Sequence, residues 1–333
     1  MIKSFAVSAL VCVSLVVGLN ANEHFLNGAK RVVVLGDSIT YSGQYVAFLE
    51  AFWRIKNPDS KIEFINLGLP SETVSGLSEM GHAGGRFPRP DLHERIDRIL
   101  EKTKPDLIIA CYGMNCGIYR PYADDRFDAF RKGIVALRAK AKKAGASVVH
   151  LTPPSFDVEP IRARTVSADS KDKGRMYTGY NEVLDLYSAW LLANRGKNWI
   201  VIDAHQPMNQ FLQLQRAKNA KYRLAGDGVH INEVGHWLVA REILRQLDFD
   251  AYVCSQTTGE KAFNKLSDGK GIDKSKKWSE YIPLIKQRQR LEALAWLTET
   301  GHKRPGIPKG LSIDDARIRA AEIENKIEAW LKR

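Results

Sequence analysis

The sequence predicts an α/β fold: a three-layer α/β/α sandwich on a five-stranded parallel sheet, extended at its C-terminal end by helices. Three observations carry this. From residue 31 to about 250, short β-branched or apolar runs alternate with longer stretches of helical period, which is the pattern of βαβ units. The short runs are apolar throughout, as strands covered by helices on both faces require. The chain has 333 residues, 44% apolar and 26% charged, enough for one large globular domain with an appendage.

The elements follow in order. "RVVVL" at 31–35 is the first strand, and the amphipathic stretch 44–56 is the helix after it. "KIEFINL" at 61–67 is the second strand and runs into a loop containing Gly and Ser. "DLIIACYG" at 106–113 is the third, followed by a long charged amphipathic stretch at 125–143. "ASVVHLTPP" at 146–154 precedes a helical stretch at 174–195, and "NWIVIDAH" at 198–205 precedes another at 207–218. A last helix, 233–247, has Asn232 as its candidate N-cap, with Val234, Trp237, Leu238, Ile243 and Leu244 near helical spacing. It closes a domain expected over 28–250.

Beyond that point the composition changes. Residues 258–277 are rich in Lys, Gly and Ser, and 251–277 reads as a basic linker. Two helical stretches follow, 279–299 and 313–332, joined by "TGHKRPGIPKGLS", whose Pro and Gly break a helix. The extension 278–333 carries Trp278, Leu284, Leu294, Trp296 and Trp330, more apolar surface than a free helical pair of this length buries. It is therefore expected to pack on the main domain. Either it is a buttress far from the functional edge, or it returns there and brings His302, Lys303 and Arg304 to the rim.

The N-terminal 21 residues have one early Lys, an apolar run and a small residue, Ala21, at a cleavage point, the layout of a secretory signal. The mature chain is expected to begin near Asn22 and to be exported, periplasmic or secreted. The apolar run falls short of the ~20 residues that a span needs, and no second span follows. Beyond the signal the cysteines are Cys111, Cys116 and Cys254, which allow at most one intrachain bridge and lack the four-ligand spacing of a structural zinc site. The net charge is +12. Residues 251–333 hold 17 Lys and Arg against 11 Asp and Glu. A surplus of this kind favours polyanions such as acidic polysaccharide, but no basic stripe interleaved with aromatics points to nucleic acid.

Four strand or domain ends carry chemistry. "GDSIT" sets Asp37 and Ser38 where the first strand gives way to a helix, a position that alone fits a simple cap. "NLGLPSET" offers Gly68, where a missing Cβ lets a backbone N–H approach a reacting oxygen. "CYGMNCG" offers the side-chain amide of Asn115 for the same oxygen. "GDGVHINEVG" sets Asp227 three residues before His230 in a turn. A serine hydroxyl needs a base, and the base needs an acceptor to hold its tautomer; this spacing supplies both. His236, a few residues on, reads as an ordinary surface histidine.

In this order the four stretches resemble the conserved blocks of the SGNH hydrolases, the GDSL esterases and lipases, over roughly residues 31–250. The resemblance implies a flavodoxin-like sandwich with Ser38 as nucleophile and Asp227 and His230 completing a triad. It also implies an oxyanion hole from the Ser38 N–H, Gly68 and Asn115. No cofactor and no metal are expected, because a serine and its base supply the nucleophile without one. Cys116 stands where the family often has Asp.

Export, a basic surface and no long apolar lid favour a polar ester, and a carbohydrate O-acetylesterase is the expected activity, with a glycan ester, including acidic polysaccharide, as substrate. A lipase or acyl-thioesterase of the same fold is the alternative. A catalytically silent glycan-binding envelope protein is the competing class. "GHAGGRFPRPDLHERI" at 81–96 reads as an insertion whose His82, Arg86 and Arg89 are candidates for binding an acidic sugar.

Overall fold

The computed structural model describes residues 24–172, 174–268, 273 and 275–332. The expected signal segment, 1–21, lies outside the described residues. Five strands form one parallel sheet in the order β2-β1-β3-β4-β5: β1 Arg31–Gly36, β2 Glu63–Asn66, β3 Leu107–Cys111, β4 Ser147–Leu151 and β5 Ile200–Ile202. β1 pairs with β2 on one side, Val33 against Ile65, and with β3 on the other, Val33 against Ile108. The strand order therefore reverses between β1 and β3, and a crevice opens there at the C-terminal strand ends, where ligands bind in such sheets. Val32 to Leu35 are fully buried, which explains why this strand is apolar on both faces.

Eleven helices surround or extend the sheet among the described residues: α1 Ser38–Ser42, α2 Gln44–Lys56, α3 Leu92–Thr103, α4 Asp124–Lys143, α5 Tyr180–Ala193, α6 His205–Lys218, α7 Glu233–Arg245, α8 Ala251–Cys254, α9 Gly259–Asp268, α10 Trp278–Thr300 and α11 Ile313–Lys332. α3 lies where the sequence leads one to expect only loop and insertion. Asp91 caps it by accepting from the His93 N–H, and Leu92, Ile96, Ile99 and Leu100 form its buried stripe. The segment read as an insertion over 81–96 thus ends at Asp91, which bridges to Thr73. The stretch read as a linker also carries helices, α8 and α9. Its Lys-rich composition hides Ala262 and Phe263, which are buried; the Phe263 ring packs against Trp278 and Trp330.

α2 is buried on nearly every side. A helix apolar all round needs cover all round, and α10 supplies it: Trp278 packs on Phe48 and Phe52, and Tyr281 stacks on Trp330 of α11 at 4.2 Å. Glu50 of α2, only 1% exposed, takes hydrogen bonds from Arg288 and, at 2.6 Å, from Gln289 of α10. Arg54 pairs with Glu324 of α11. An unpaired charge in such a place would be costly, so the polar residues of α2 are matched to the extension. All three described cysteines are free and buried.

Candidate active site

β1 ends at Gly36, and Asp37 caps α1 by accepting the Ile39 N–H at 2.9 Å. Ser38 is the first residue of that helix. Its hydroxyl lies 2.8 Å from His230 Nε2, and His230 Nδ1 lies 2.6 Å from Asp227 Oδ2. The other oxygen of Asp227 accepts the backbone N–H groups of Val229 and His230 at 3.0 and 2.8 Å. Gly228 between them has φ +85°, and a Cβ there would come within 2.5 Å of Ile161 Cδ1, so the turn that closes the pair requires glycine.

The electrostatics follow. Burial raises the Asp227 carboxyl, but hydrogen bonds from the His230 ring and from two backbone N–H groups outweigh it, and the group is held below its usual range. It stays ionised and accepts from Nδ1, which leaves Nε2 as the acceptor toward Ser38. Asp37 differs: burial pushes its carboxyl up to about 6, against the opposing Ile39 N–H and the charge of His230. Its structural role is the cap.

Asn115 is 4% exposed. Its Oδ1 accepts from Arg89 Nη1 at 2.9 Å and from the Tyr119 hydroxyl at 2.8 Å. With the oxygen doubly engaged, the amide is fixed with Nδ2 as its free end, and Nδ2 makes one long bond, 3.3 Å, to the Glu72 carbonyl. Glu72 is itself held by Arg95 and Tyr112 in a buried network.

Gly68 does not fit the part expected of it. Its N–H is committed to Asn66 Oδ1 at 2.9 Å, and a Cβ would sit 2.3 Å from Tyr41 N. Gly68 is glycine because α1 packs directly on it. From this loop Pro70 and Ser71 line the cavity, and Ser71 is in the left-handed region at φ +70°. The backbone N–H that can serve in the place expected of Gly68 is that of Ser71. Its N–H has no acceptor among the described residues, a condition that a strained turn at a site can maintain.

These groups open on a cavity of about 510 Å3, lined by Ser38, Ser71, Asn115, Asp227 and His230 together with His82 and Arg89. Arg86 is not part of it; its Nε donates to the Ala83 carbonyl on the exposed side of its loop. Arg89 is 9% exposed, pairs with Glu79, and reaches the cavity through Asn115. His236, expected at the surface, is 2% exposed and contacts Ser42 Oγ at 3.0 Å; burial pushes its ring down to about 3. Arg304 of the extension also lines the cavity, so the extension both covers α2 and returns to the functional edge. Among the described residues, no group of His, Cys, Asp and Glu could hold a metal, and no helix is long and apolar enough to cross a membrane.

Solved structures similar to this one include a catalytic mutant of an acetylxylan esterase from Geobacillus stearothermophilus, with 19% identity over 66% of this chain and 95% of that one and a TM-score of 0.49. A gut microbial diltiazem-metabolizing enzyme is 18% identical over 66% of this chain and 47% of that one, with a TM-score of 0.47. An alpha/beta hydrolase enzyme from the metagenome of Lake Arreo, Spain, is 22% identical over 65% and 94%, with a TM-score of 0.47. No curated protein matches by sequence. The model of the GDSL-like Lipase/Acylhydrolase family matches residues 34–238, a span that begins within β1 and contains β2 to β5, Ser38, Ser71, Asn115, Asp227 and His230. The chain belongs to the GDSL-like lipase and acylhydrolase family and is a serine hydrolase of the SGNH type.

Proposed function

We propose that this esterase is an exported carbohydrate O-acetylesterase in which Ser38 is the nucleophile, His230 the general base and Asp227 the group that orients it. The observation that carries the mechanism is the unbroken hydrogen-bond line from Asp227 through His230 to Ser38, ending in an open cavity. His230 Nε2 takes the hydroxyl proton as Ser38 Oγ attacks the ester carbonyl, forming the C–O bond of a tetrahedral intermediate. The oxyanion is received by the N–H groups of Ser38 and Ser71 and by Asn115 Nδ2. His230 then gives the proton to the leaving sugar oxygen as the ester bond breaks. Water, deprotonated by the same nitrogen, releases acetate from the acyl-enzyme.

Arg89 and Tyr119 are positioning residues, since both act on Asn115 Oδ1. The carbohydrate reading is supported by the guanidinium groups of Arg89, Arg164, Arg175 and Arg304 in the cavity lining, which supply hydrogen-bond donors that a sugar can use and an acyl chain cannot. Acetate release from acetylated glycosides and from 4-nitrophenyl acetate tests the proposal. Activity on both, with activity on 4-nitrophenyl esters falling as the acyl chain lengthens, is the expected result. A preference for acyl chains of eight or more carbons would overturn the carbohydrate reading. Export is tested by N-terminal sequencing of protein recovered after expression in a secreting host; an intact Met1 would refute it.

A further inference from the structure

Four arginines line the cavity, and its one carboxylate, Asp227, is already engaged by His230. Two of the four are neutralised. Arg89 meets both oxygens of Glu79 at 2.6 and 2.7 Å, and Arg175 meets Asp172 at 2.7 Å. Arg164 and Arg304 make no ion pair among the described residues. They come from different parts of the chain, Arg164 from the segment after β4 and Arg304 from the turn after α10.

Arg304 is held in place without being satisfied. Arg98 of α3 donates to the Thr300 carbonyl at 2.8 Å, and Lys303 pairs with Glu94 at 3.8 Å, which anchors the turn on α3. The Arg304 guanidinium lies 5.0 Å from the centroid of the Phe87 ring. Phe87 in turn packs edge-on against His82, and its carbonyl contacts His82 Nδ1 at 3.0 Å. One terminal nitrogen of Arg304 donates to the Pro305 carbonyl, while its buried Nε has no partner. A guanidinium fixed by ring stacking, with N–H groups left on its terminal nitrogens and no counter-charge, is suited to bind a planar oxyanion end-on through paired hydrogen bonds.

We propose that Arg304 and Arg164 form a carboxylate subsite in the cavity, so that the ester cleaved at Ser38 is carried by an O-acetylated uronic acid residue. This rests on the esterase reading of the same cavity and adds the charged group that the substrate bears beside its ester. A carboxylate matches the fork of one guanidinium and leaves the second to set the ring's orientation, and a cavity of about 510 Å3 holds a ligand of one to two sugars. The extension is thereby a specificity element as well as a cover for α2.

Calorimetric titration of the full chain with methyl glucuronoside, methyl glucoside and methyl glucoside 6-sulfate reads this without any chemistry at Ser38. The glucuronoside is expected to bind at least about tenfold tighter than the glucoside, the size of effect that charge-assisted hydrogen bonds give, with the preference shrinking as salt is raised. Arg304→Ala and Arg164→Ala are each expected to bring the ratio of the two Kd values down by about fivefold or more, and Arg304→Lys to keep part of it. No preference in the wild-type chain overturns the subsite. So does a ratio unchanged in Arg304→Ala or, should that variant not fold, in Arg304→Lys and Arg164→Ala. Tighter binding of the sulfate than of the glucuronoside overturns the carboxylate assignment. Failure of the esterase reading has a separate signature, acetate release that persists in Ser38→Ala.

Discussion

Two regions of this molecule flank α1 and α2, and they treat polar groups in opposite ways. At the catalytic edge the Asp227 and His230 side chains are each 55% exposed, and backbone N–H groups at Ser38 and Ser71 are left without acceptors among the described residues. At the α2 face Glu50, Arg288 and Gln289 are at least nine-tenths buried and bonded to one another. Groups that act on a ligand keep hydrogen-bonding capacity open to the cavity, whereas groups that fix one helix on another pair their charges within the fold and leave only buried atoms such as Arg288 Nε and Gln289 Oε1 without a partner.

Ser38→Ala should lower ester turnover by about 10⁴-fold or more with little change in melting temperature, and turnover within tenfold of the wild type would end the nucleophile assignment. On the other face, Glu50→Ala should leave Arg288 buried with only its longer contacts to Glu324 at 3.4 Å and Glu292 at 3.8 Å and cost about 3 kcal/mol of stability. Chemical denaturation measures this, and a cost below ~1 kcal/mol would mean that the cluster is replaceable. Asn115→Ala should reduce kcat by about 10²–10³-fold with KM little moved; a change confined to KM would make the amide a binding group.

Asp37 is a buried carboxyl on the side of the site, and it makes stability depend on pH. Its folded value, about 6, lies above the value of 3.8 expected when it is exposed. The folded state therefore holds the proton more tightly, and this contribution to stability is present below about pH 4 and is lost as the pH rises through 6. At up to about 3 kcal/mol for a shift of this size, Asp37→Asn should gain stability relative to the wild type between pH 4 and 7. Parallel stability profiles for the two proteins would contradict it. The smallest effect belongs to Ser71→Gly. Relief of the left-handed backbone should stabilise the fold by up to about 1 kcal/mol and keep turnover, because the proposed donor is the backbone N–H. A large loss of turnover would assign the role to the hydroxyl.

Much of this was legible in the sequence, for physical reasons that differ by residue. Val32 to Leu35 are apolar on both faces because both are covered, and Asp227 and His230 share one turn, so short-range patterns reveal them. Gly68 misled because a missing Cβ signals close approach without saying of what, and here it is the backbone of α1 that approaches. Ser71 escaped notice because nothing in a serine advertises a positive φ. α3 had a readable cap in Asp91 and a readable stripe from Leu92 to Leu100, but the Gly- and Pro-rich residues before it drew the whole segment into a loop. Arg304 and His236 owe their places to contacts with Phe87 and Ser42, far off in the chain, and no local pattern encodes those.

If Ser38 Oγ is the reacting atom of a hydrogen-bonded triad, it is attacked by serine-directed reagents and His230 speeds that reaction. Incubation with an alkyl fluorophosphonate followed by peptide mass analysis tests this most directly, since the reagent phosphonylates an activated serine and releases fluoride. One adduct per chain on the peptide containing Ser38, formed at least about a hundredfold more slowly in His230→Ala, is the predicted result. Labelling of another serine, or labelling of Ser38 at an equal rate in His230→Ala, would contradict it.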